Sequence, residues 1–162
     1  MMTQPTMSPQ EVFDLIPQEE REARLRVVRR AKEWLGTPYH HQGRVLGAGV
    51  DCGMLLLEVY ESLGLLPHID PRPYPHDWHL HRGEQVYLGW VEKYARPVTV
   101  PLPGDLVLYR MGLCLSHGAI VIDWPTVIHS YVDLGVILGV NGEHPLKSSR
   151  LGGVWSVFGE RP

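Results

Sequence analysis

The stretch "SHGAIVIDWPTVIHSYV", residues 116–132, sets the architecture of the second half of the chain. Residues 118–123 and 126–132 are rich in β-branched and aromatic side chains, and "WPT" connects them. Two such runs joined by a short connection are typical of a β-hairpin. The stretch therefore predicts two antiparallel neighbouring strands with a turn near Pro125.

Two histidines occupy matching ends of this predicted hairpin. His117 opens the first strand, and His129 lies inside the second, so they fall within a residue or two of being cross-strand partners. Cross-strand β-carbons are about 5 Å apart. That arrangement suits a histidine base oriented by a second polar residue. A buried structural histidine is the alternative interpretation for His129.

The segments on either side of the hairpin complete a fold prediction. "DLVLYR" before it and "GVILGV" and "GVWSVF" after it are further short β-rich runs. Helical spacing appears earlier, in residues 18–35, from Cys52 onward, and in residues 84–95. The order predicts an α+β protein in which N-terminal helices pack on an antiparallel meander of about five strands.

The first predicted helix has an apolar face and a strongly basic remainder. Leu25, Val28 and Leu35 mark the apolar face, and Gly36 and Pro38 end the helix. A run of basic residues covers the rest: Arg21, Arg24, Arg26, Arg29, Arg30 and Lys32. Such a run usually forms a solvated helix face, and contact with an acidic polymer is the alternative.

Composition excludes several classes of protein. The chain has 162 residues, of which 44% are hydrophobic and 20% charged, with a formal net charge of −3. This is enough chain for one domain with its own core, and we assign residues 18–162 to it. There is no overall basic field to predict nucleic-acid binding. No apolar run approaches the ~18 residues of a membrane-spanning helix.

Residues 1–17 contain three prolines and little periodicity. We expect an N-terminal arm or partner-binding tail there. The start of the chain lacks a basic region followed by an apolar one, so a signal peptide is not predicted. The expected site of synthesis is the reducing cytoplasm, where a disulfide between Cys52 and Cys114 is not favoured.

The stretch "GAGVDCGMLLLEVYESLG", residues 47–64, places Cys52 at the start of a helix after a glycine-rich turn. The first-turn N–H groups of a helix are unpaired and carry partial positive charge. They can lower a thiol pKa from ~8.5 to between roughly 3.5 and 7.5, and can also hold an oxyanion. A small buried packing residue is the alternative for Cys52.

Other patterns carry weaker signals. His79 and His81 would share a strand face, but no second ligand pair accompanies them, so a metal site is not predicted. The glycines at 47 and 49 do not complete a dinucleotide-binding motif, since Cys52 stands in the third glycine's place. Tyr74 and Trp78 either line a substrate groove or pack a long loop.

An ordered set of short motifs resembles a known family. These are "WLGTPY" at 34–39, "GVDCG" at 49–53, "PGDLVLY" at 103–109, "SHGAIVI" at 116–122 and "VIHS" at 127–130. Together they resemble the NlpC-type cell-wall cysteine peptidases, which are papain-like, over roughly residues 25–158. The wording of "TPYHHQGR" and "YPHDW" is similar to the branch found with phage tails and gene transfer agents.

This resemblance implies roles for individual residues. Cys52 matches the nucleophile, His117 the base, and His129 the polar residue that orients the base. Tyr39 matches a tyrosine beside the active site, whose hydroxyl would help to hold the oxyanion. Asp51 matches an aspartate that helps to bind the amino end of the substrate in some members.

One residue departs from the family pattern. Many members have serine directly after the cysteine, and this chain has Gly53. If that serine recognises substrate, the departure affects specificity and leaves the chemistry unchanged.

The implied activity is hydrolysis of an amide bond in peptidoglycan stem peptides, with no metal or cofactor. The implied location is the tail of a phage or gene transfer agent, with residues 1–17 contacting tail-tip or baseplate proteins. Two alternatives stay open. One is a tail-tip structural component that uses the peptidase fold for docking, and the other is a cytoplasmic thiol hydrolase or acyltransferase.

Overall fold

The computed structural model describes residues 6–75 and 86–159, with only the backbone of Val86. Its helices are α1 Pro9–Leu15, α2 Gln18–Lys32, α3 Cys52–Ser62 and α4 Val86–Tyr94. Its strands are β1 Arg44–Val45, β2 Gly49–Val50, β3 Arg96–Val98, β4 Leu106–Met111, β5 Cys114–Asp123, β6 Thr126–Tyr131, β7 Gly135–Val140 and β8 Leu151–Ser156. The predicted α+β architecture is confirmed. Among the described residues, no helix is long and apolar enough to cross a membrane.

The main sheet has six antiparallel strands in the order β3-β8-β4-β5-β6-β7. Strands β4 to β7 form the predicted meander, but β8 returns to the far side of β4 and pairs with it there. Strand β3, which pairs with β8, was not expected from the sequence. It has only three residues, one of them a proline, so it carries little strand signal and suits a sheet edge.

The β5–β6 hairpin forms as predicted. Asp123 pairs with Thr126 across a two-residue turn, and Ile120 pairs with Ile128 further along. Because side chains alternate between the two faces of a strand, the Ile120–Ile128 pair faces the helices and Val121 faces the other side. The hairpin is therefore buried on both faces, which explains its nearly continuous apolar sequence.

Helix α3 begins where the sequence predicted and packs against β5 and β6. The Asp51 carboxylate caps it by accepting the Met54 backbone N–H at 2.8 Å, as N-terminal caps commonly do. Leu55 and Val59 are completely buried in the core between the helices and the sheet. This packing fixes the first turn of α3, and with it Cys52, against the sheet.

The predicted apolar face of α2 is only partly right. The helix ends at Lys32, three residues earlier than expected, and Leu25 and Leu35 are exposed. The core-facing side chains include Val27 and Ala31 instead. Arg24, expected on the solvated face, is also buried, because the chain supplies an anionic partner for it in the interior. The prediction for Arg24 was therefore wrong.

The proposed N-terminal arm contains more structure than its sequence suggested. Ser8 and Glu11 form a capping box at the start of α1, which is a recognised helix-start signal. None of the α1 residues is buried. The division between an arm at 1–17 and a domain at 18–162 stays a prediction.

Candidate active site

A cavity of about 520 Å³ lies where the start of α3 meets α4 and the start of β5. Four of the five predicted site residues line it, namely Tyr39, Asp51, Cys52 and His117. The fifth, His129, is completely buried and contacts His117. The fold thus gathers residues from both halves of the chain at one place.

Cys52 is the first residue of α3 and is half-buried. Its S–H group donates to the backbone carbonyl of Ser116, 3.6 Å away on β5. Since Ser116 directly precedes His117, this contact places the thiol beside the strand that carries the histidine. Cys114, the second cysteine, is also a free thiol and is buried.

The sequence predicted that the start of α3 would be the main influence on the pKa of Cys52. In the structure, burial is the main influence. Burial, followed by the nearby Asp51 carboxylate, raises the thiol pKa to about 12. The backbone N–H groups of Gly118, Gly53 and Cys52 itself lower it, but by less. The expectation of a lowered pKa was therefore wrong for the free protein, because desolvation disfavours the charged sulfur. The resting thiol is neutral.

His117 and His129 form a hydrogen-bonded pair, as the hairpin prediction required. His117 Nε2 lies 2.8 Å from His129 Nδ1, and the two rings are nearly perpendicular. Because Ile120 pairs with Ile128, His129 falls opposite Ala119, two residues from His117 on the same face. The predicted contact is confirmed, and the catalytic roles of both histidines stay predictions.

Both imidazoles are neutral at physiological pH. Burial and the neighbouring His129 lower the pKa of His117 to about 3. Burial lowers the pKa of His129 to about 4. When the His117 Nε2–H donates to His129 Nδ1, the Nδ1 of His117 carries no hydrogen and is able to accept a proton. This is the tautomer that a general base at His117 requires.

Asp51 is held firmly at the edge of the cavity. One carboxylate oxygen caps α3, and the other accepts hydrogen bonds from the Gln42 backbone N–H and from the Tyr74 hydroxyl. These bonds tie the start of α3 to the loop before it and to the segment at Tyr74. They give Asp51 a structural task, and its role in binding substrate stays a prediction.

Tyr39 lines the cavity and is half-buried. Its backbone forms an isolated bridge with Val50, two residues before α3. Burial, followed by Cys52 in its ionised form and by the Asp51 carboxylate, raises the pKa of the Tyr39 hydroxyl. The phenol therefore stays protonated at neutral pH and remains a hydrogen-bond donor near the sulfur.

Two further tyrosines belong to the site. Tyr74 bonds to Asp51 and lines the cavity. A part in a substrate groove stays a prediction for this residue. Tyr87, from α4, also lines the cavity and was missed, because its sequence neighbourhood carries only a weak helical pattern. Trp78, His79 and His81 lie outside the described residues.

Metal binding finds no ready-made site in the described part of the chain. Over residues 6–75 and 86–159, no group of three or more His, Cys, Asp or Glu side chains is arranged to hold an ion. In the "HHQGR" segment, a ring nitrogen of His41 lies 2.9 Å from the Tyr74 backbone carbonyl. This contact gives that histidine a structural partner.

Comparison with known proteins places the fold and leaves the sequence family unassigned. No family model and no curated protein matches the chain. Solved structures do match, and they define an α+β fold of the papain-like class. More narrowly, it is the fold of NlpC/p60 domains.

Three solved structures illustrate this similarity. The NlpC/p60 domain of the peptidoglycan hydrolase SagA is 20% identical with a TM-score of 0.55, over 82% of this chain and 97% of that one. An NlpC/p60 family protein from Bacillus cereus is 20% identical with a TM-score of 0.61, over 81% of this chain and 39% of that one. The peptidoglycan hydrolase RipB from Mycobacterium tuberculosis is 19% identical with a TM-score of 0.57, over 91% of this chain and 71% of that one.

Proposed function

We propose that the protein hydrolyses an amide bond in peptidoglycan stem peptides through Cys52. The observation that carries this proposal is the meeting of a cysteine at a helix start with a buried, hydrogen-bonded histidine pair at one cavity. The fold supports it, since two of the structures it resembles are peptidoglycan hydrolases. The ordered motifs that resemble the NlpC-type peptidases also support it.

The reaction follows from the protonation states of the resting site. Cys52 and His117 are both neutral, so proton transfer accompanies the attack of sulfur on the carbonyl carbon. His117 Nδ1 takes the thiol proton while the new C–S bond forms. The backbone N–H of Cys52 and the Tyr39 hydroxyl stabilise the oxyanion. Acid–base catalysis of this kind contributes roughly 10²–10⁴ in rate.

Collapse of the intermediate completes the cycle. The C–N bond breaks, and His117 gives its proton to the leaving amine. Water then attacks the thioester, with His117 accepting a proton from it, and the C–S bond breaks to release a carboxylic acid and the thiol. His129 keeps the His117 ring in one orientation through both half-reactions. No redox step or metal is needed.

Digestion of purified sacculi, with mass spectrometry of the products, tests this proposal. Under reducing conditions the wild type should release fragments with new amine and carboxyl ends, and Cys52→Ala should release none. Cys114→Ala is the matched control, because it makes the same substitution at the other free cysteine, which is buried. Equal activity of wild type and Cys52→Ala would exclude the mechanism.

We further propose that the protein acts on the tail of a phage or gene transfer agent and opens the cell wall during DNA delivery. The support is the wording of "TPYHHQGR" and "YPHDW", together with an α1 that buries none of its residues. Proteomics of purified particles tests the location. Co-purification of tail-tip proteins with the full chain, and its loss when residues 1–17 are deleted, tests the contact. Binding without sacculus digestion by any variant would favour a structural tail component.

A further inference from the structure

One side chain occupies the space next to two glycines that flank the thiol. Tyr87 extends from α4 toward the start of α3 and toward β5. A β-carbon at Gly53 would lie 3.2 Å from Tyr87 Cε2, and one at Gly118 would lie 2.5 Å from the Tyr87 hydroxyl oxygen. The second distance is shorter than real contacts allow, and the first is tight. The ring of Tyr87 therefore depends on the absence of side chains at both positions.

These two glycines are the immediate surroundings of the nucleophile. Gly53 follows Cys52 in the chain, and the backbone N–H of Gly118 interacts with the Cys52 sulfur. Burial, followed by Cys52 in its ionised form and by the Asp51 carboxylate, raises the pKa of the Tyr87 phenol. The phenol is thus a neutral group that stands close to the sulfur and lines the same cavity.

We propose that Tyr87 is a specificity-determining residue that restricts the group bonded to Cys52 in the acyl-enzyme to a small acyl residue. This inference rests on the proposed function. The carbonyl carbon of the acyl group is bonded directly to sulfur, so its substituent must lie in the space that the Tyr87 ring leaves. The restriction is steric, and the aromatic ring rather than the hydroxyl imposes it.

The pairing of Gly53 with Tyr87 also accounts for the departure from the family pattern. A serine at position 53 would place its β-carbon 3.2 Å from Tyr87 Cε2. Tyr87 of α4 therefore restricts the substrate in this protein, where a side chain at position 53 would otherwise do so. Gly53 and Tyr87 form a matched pair in which one residue makes room for the other.

Thiol alkylation tests the steric claim without any substrate. Rates for Cys52 are measured with iodoacetamide and with the bulkier N-ethylmaleimide, and Cys52→Ala corrects for Cys114. Tyr87→Ala should raise the N-ethylmaleimide rate relative to the iodoacetamide rate by about tenfold, the scale of size discrimination in a pocket. Tyr87→Phe should leave the ratio near wild type. Glu92→Ala, at an exposed position of the same helix, is the control. An unchanged ratio in Tyr87→Ala overturns the proposal.

Cleavage of stem-peptide fragments tests specificity itself. Two fragments that differ only in the size of the residue on the acyl side of the cleaved bond are compared by kcat/KM. Tyr87→Ala should shift the preference toward the larger fragment by about tenfold, and Tyr87→Phe should retain the wild-type preference. The same preference in Tyr87→Ala and wild type overturns the proposal. If the wild type cleaves neither fragment, the proposed function fails, and the alkylation ratio still decides whether Tyr87 limits access.

A third experiment tests the matched pair by stability. Gly53→Ser should lower Tm in the wild-type background, because the new side chain meets the Tyr87 ring. In the Tyr87→Ala background the same substitution should cost less, since the ring is gone. Non-additivity of this kind is the signature of residues in contact. Equal losses of Tm in the two backgrounds contradict the pairing, and circular dichroism of each variant verifies folding.

Discussion

The protein contains two buried polar clusters, and they differ in how completely their polar atoms are paired. The first surrounds Arg24, whose side chain is 2% exposed. Its guanidinium donates to Glu20 at 3.0 Å, to Asp105 at 2.7 Å and to Ser156 at 3.1 Å. It also lies over the Phe158 ring, 4.6 Å from the centroid. Each guanidinium nitrogen of this cluster has a partner, so the charge is stabilised where it is buried.

The second cluster is the histidine pair, and one of its polar atoms has no partner. Within the described residues, His129 Nε2 is buried without a hydrogen bond. A polar group left this way costs about 1–3 kcal/mol of stability. The Arg24 cluster joins α2 to β8 and serves the fold, whereas the histidine pair lowers stability at the cavity where we propose that His117 acts as a base. Mutations should therefore separate folding from activity.

The largest expected effect is on activity, through His117. His117→Gln should lower kcat/KM on sacculi or stem-peptide fragments by roughly 10²–10⁴, because the proton acceptor is lost. The free energy of unfolding should change far less, since a polar side chain of similar length replaces the imidazole. His68→Gln, at a histidine whose side chain is 77% exposed, is the control for the same substitution. Retention of activity in His117→Gln would contradict its role as the base.

At Arg24 we expect the opposite result, a large loss of stability with activity retained. Arg24→Met should lower the free energy of unfolding by about 3–5 kcal/mol, because it leaves the Asp105 carboxylate buried without its cation. Activity per folded molecule should be retained. Urea denaturation measures the free energy of unfolding. Sacculus digestion, normalised to the number of sites found by titration of the thiol, measures activity per folded molecule. Arg26→Met, at an exposed position of the same helix, should be nearly neutral. An equally mild effect at Arg24 would show that its cluster does not support the fold.

The stability of the folded protein should fall as the pH is lowered, because the two buried histidines are neutral. The folded-state pKa values, about 3 for His117 and about 4 for His129, lie below the ordinary value of 6.5. The unfolded chain therefore binds more protons between about pH 4 and 6.5, and stability should fall as pH decreases through that window. Each histidine contributes up to about 1.4 kcal/mol per pH unit. Urea denaturation from pH 7 to 4.5 measures the slope, and the double variant His117→Gln/His129→Asn should show a shallower one. Parallel slopes would argue against burial of two neutral imidazoles.

The histidine pair and the start of α3 could be predicted from the sequence, because local sequence patterns determine them. The β5–β6 hairpin, and the contact of His117 with His129, follow from strand alternation and a short turn. The start of α3 at Cys52 follows from a glycine-rich turn and an apolar helical repeat. In both cases residues close in sequence determine the geometry.

The parts that escaped prediction depend on distant partners. Arg24 looks like one more surface charge until Asp105, 81 positions away, is seen beside it. Tyr87 stands out only when Gly53 and Gly118 come together around it. The thiol pKa was misjudged because the helix start is a local feature, whereas burial is a property of the assembled core.

The smallest effect expected here refines the histidine cluster itself, through Gly139. A β-carbon there would lie 2.8 Å from both His129 Nε2 and Leu146 Cδ1. Gly139→Ala should therefore displace the His129 ring, lengthen its bond to His117 and cost about 1–3 kcal/mol of stability through overpacking. Gly89→Ala is the control, since a β-carbon at Gly89 meets nothing within 4 Å. His129→Asn removes the Nε2 that Gly139→Ala would strike, so kcat/KM of the double variant should equal that of His129→Asn alone. Independent, additive losses of activity would mean that Gly139 acts elsewhere than on the orientation of the base.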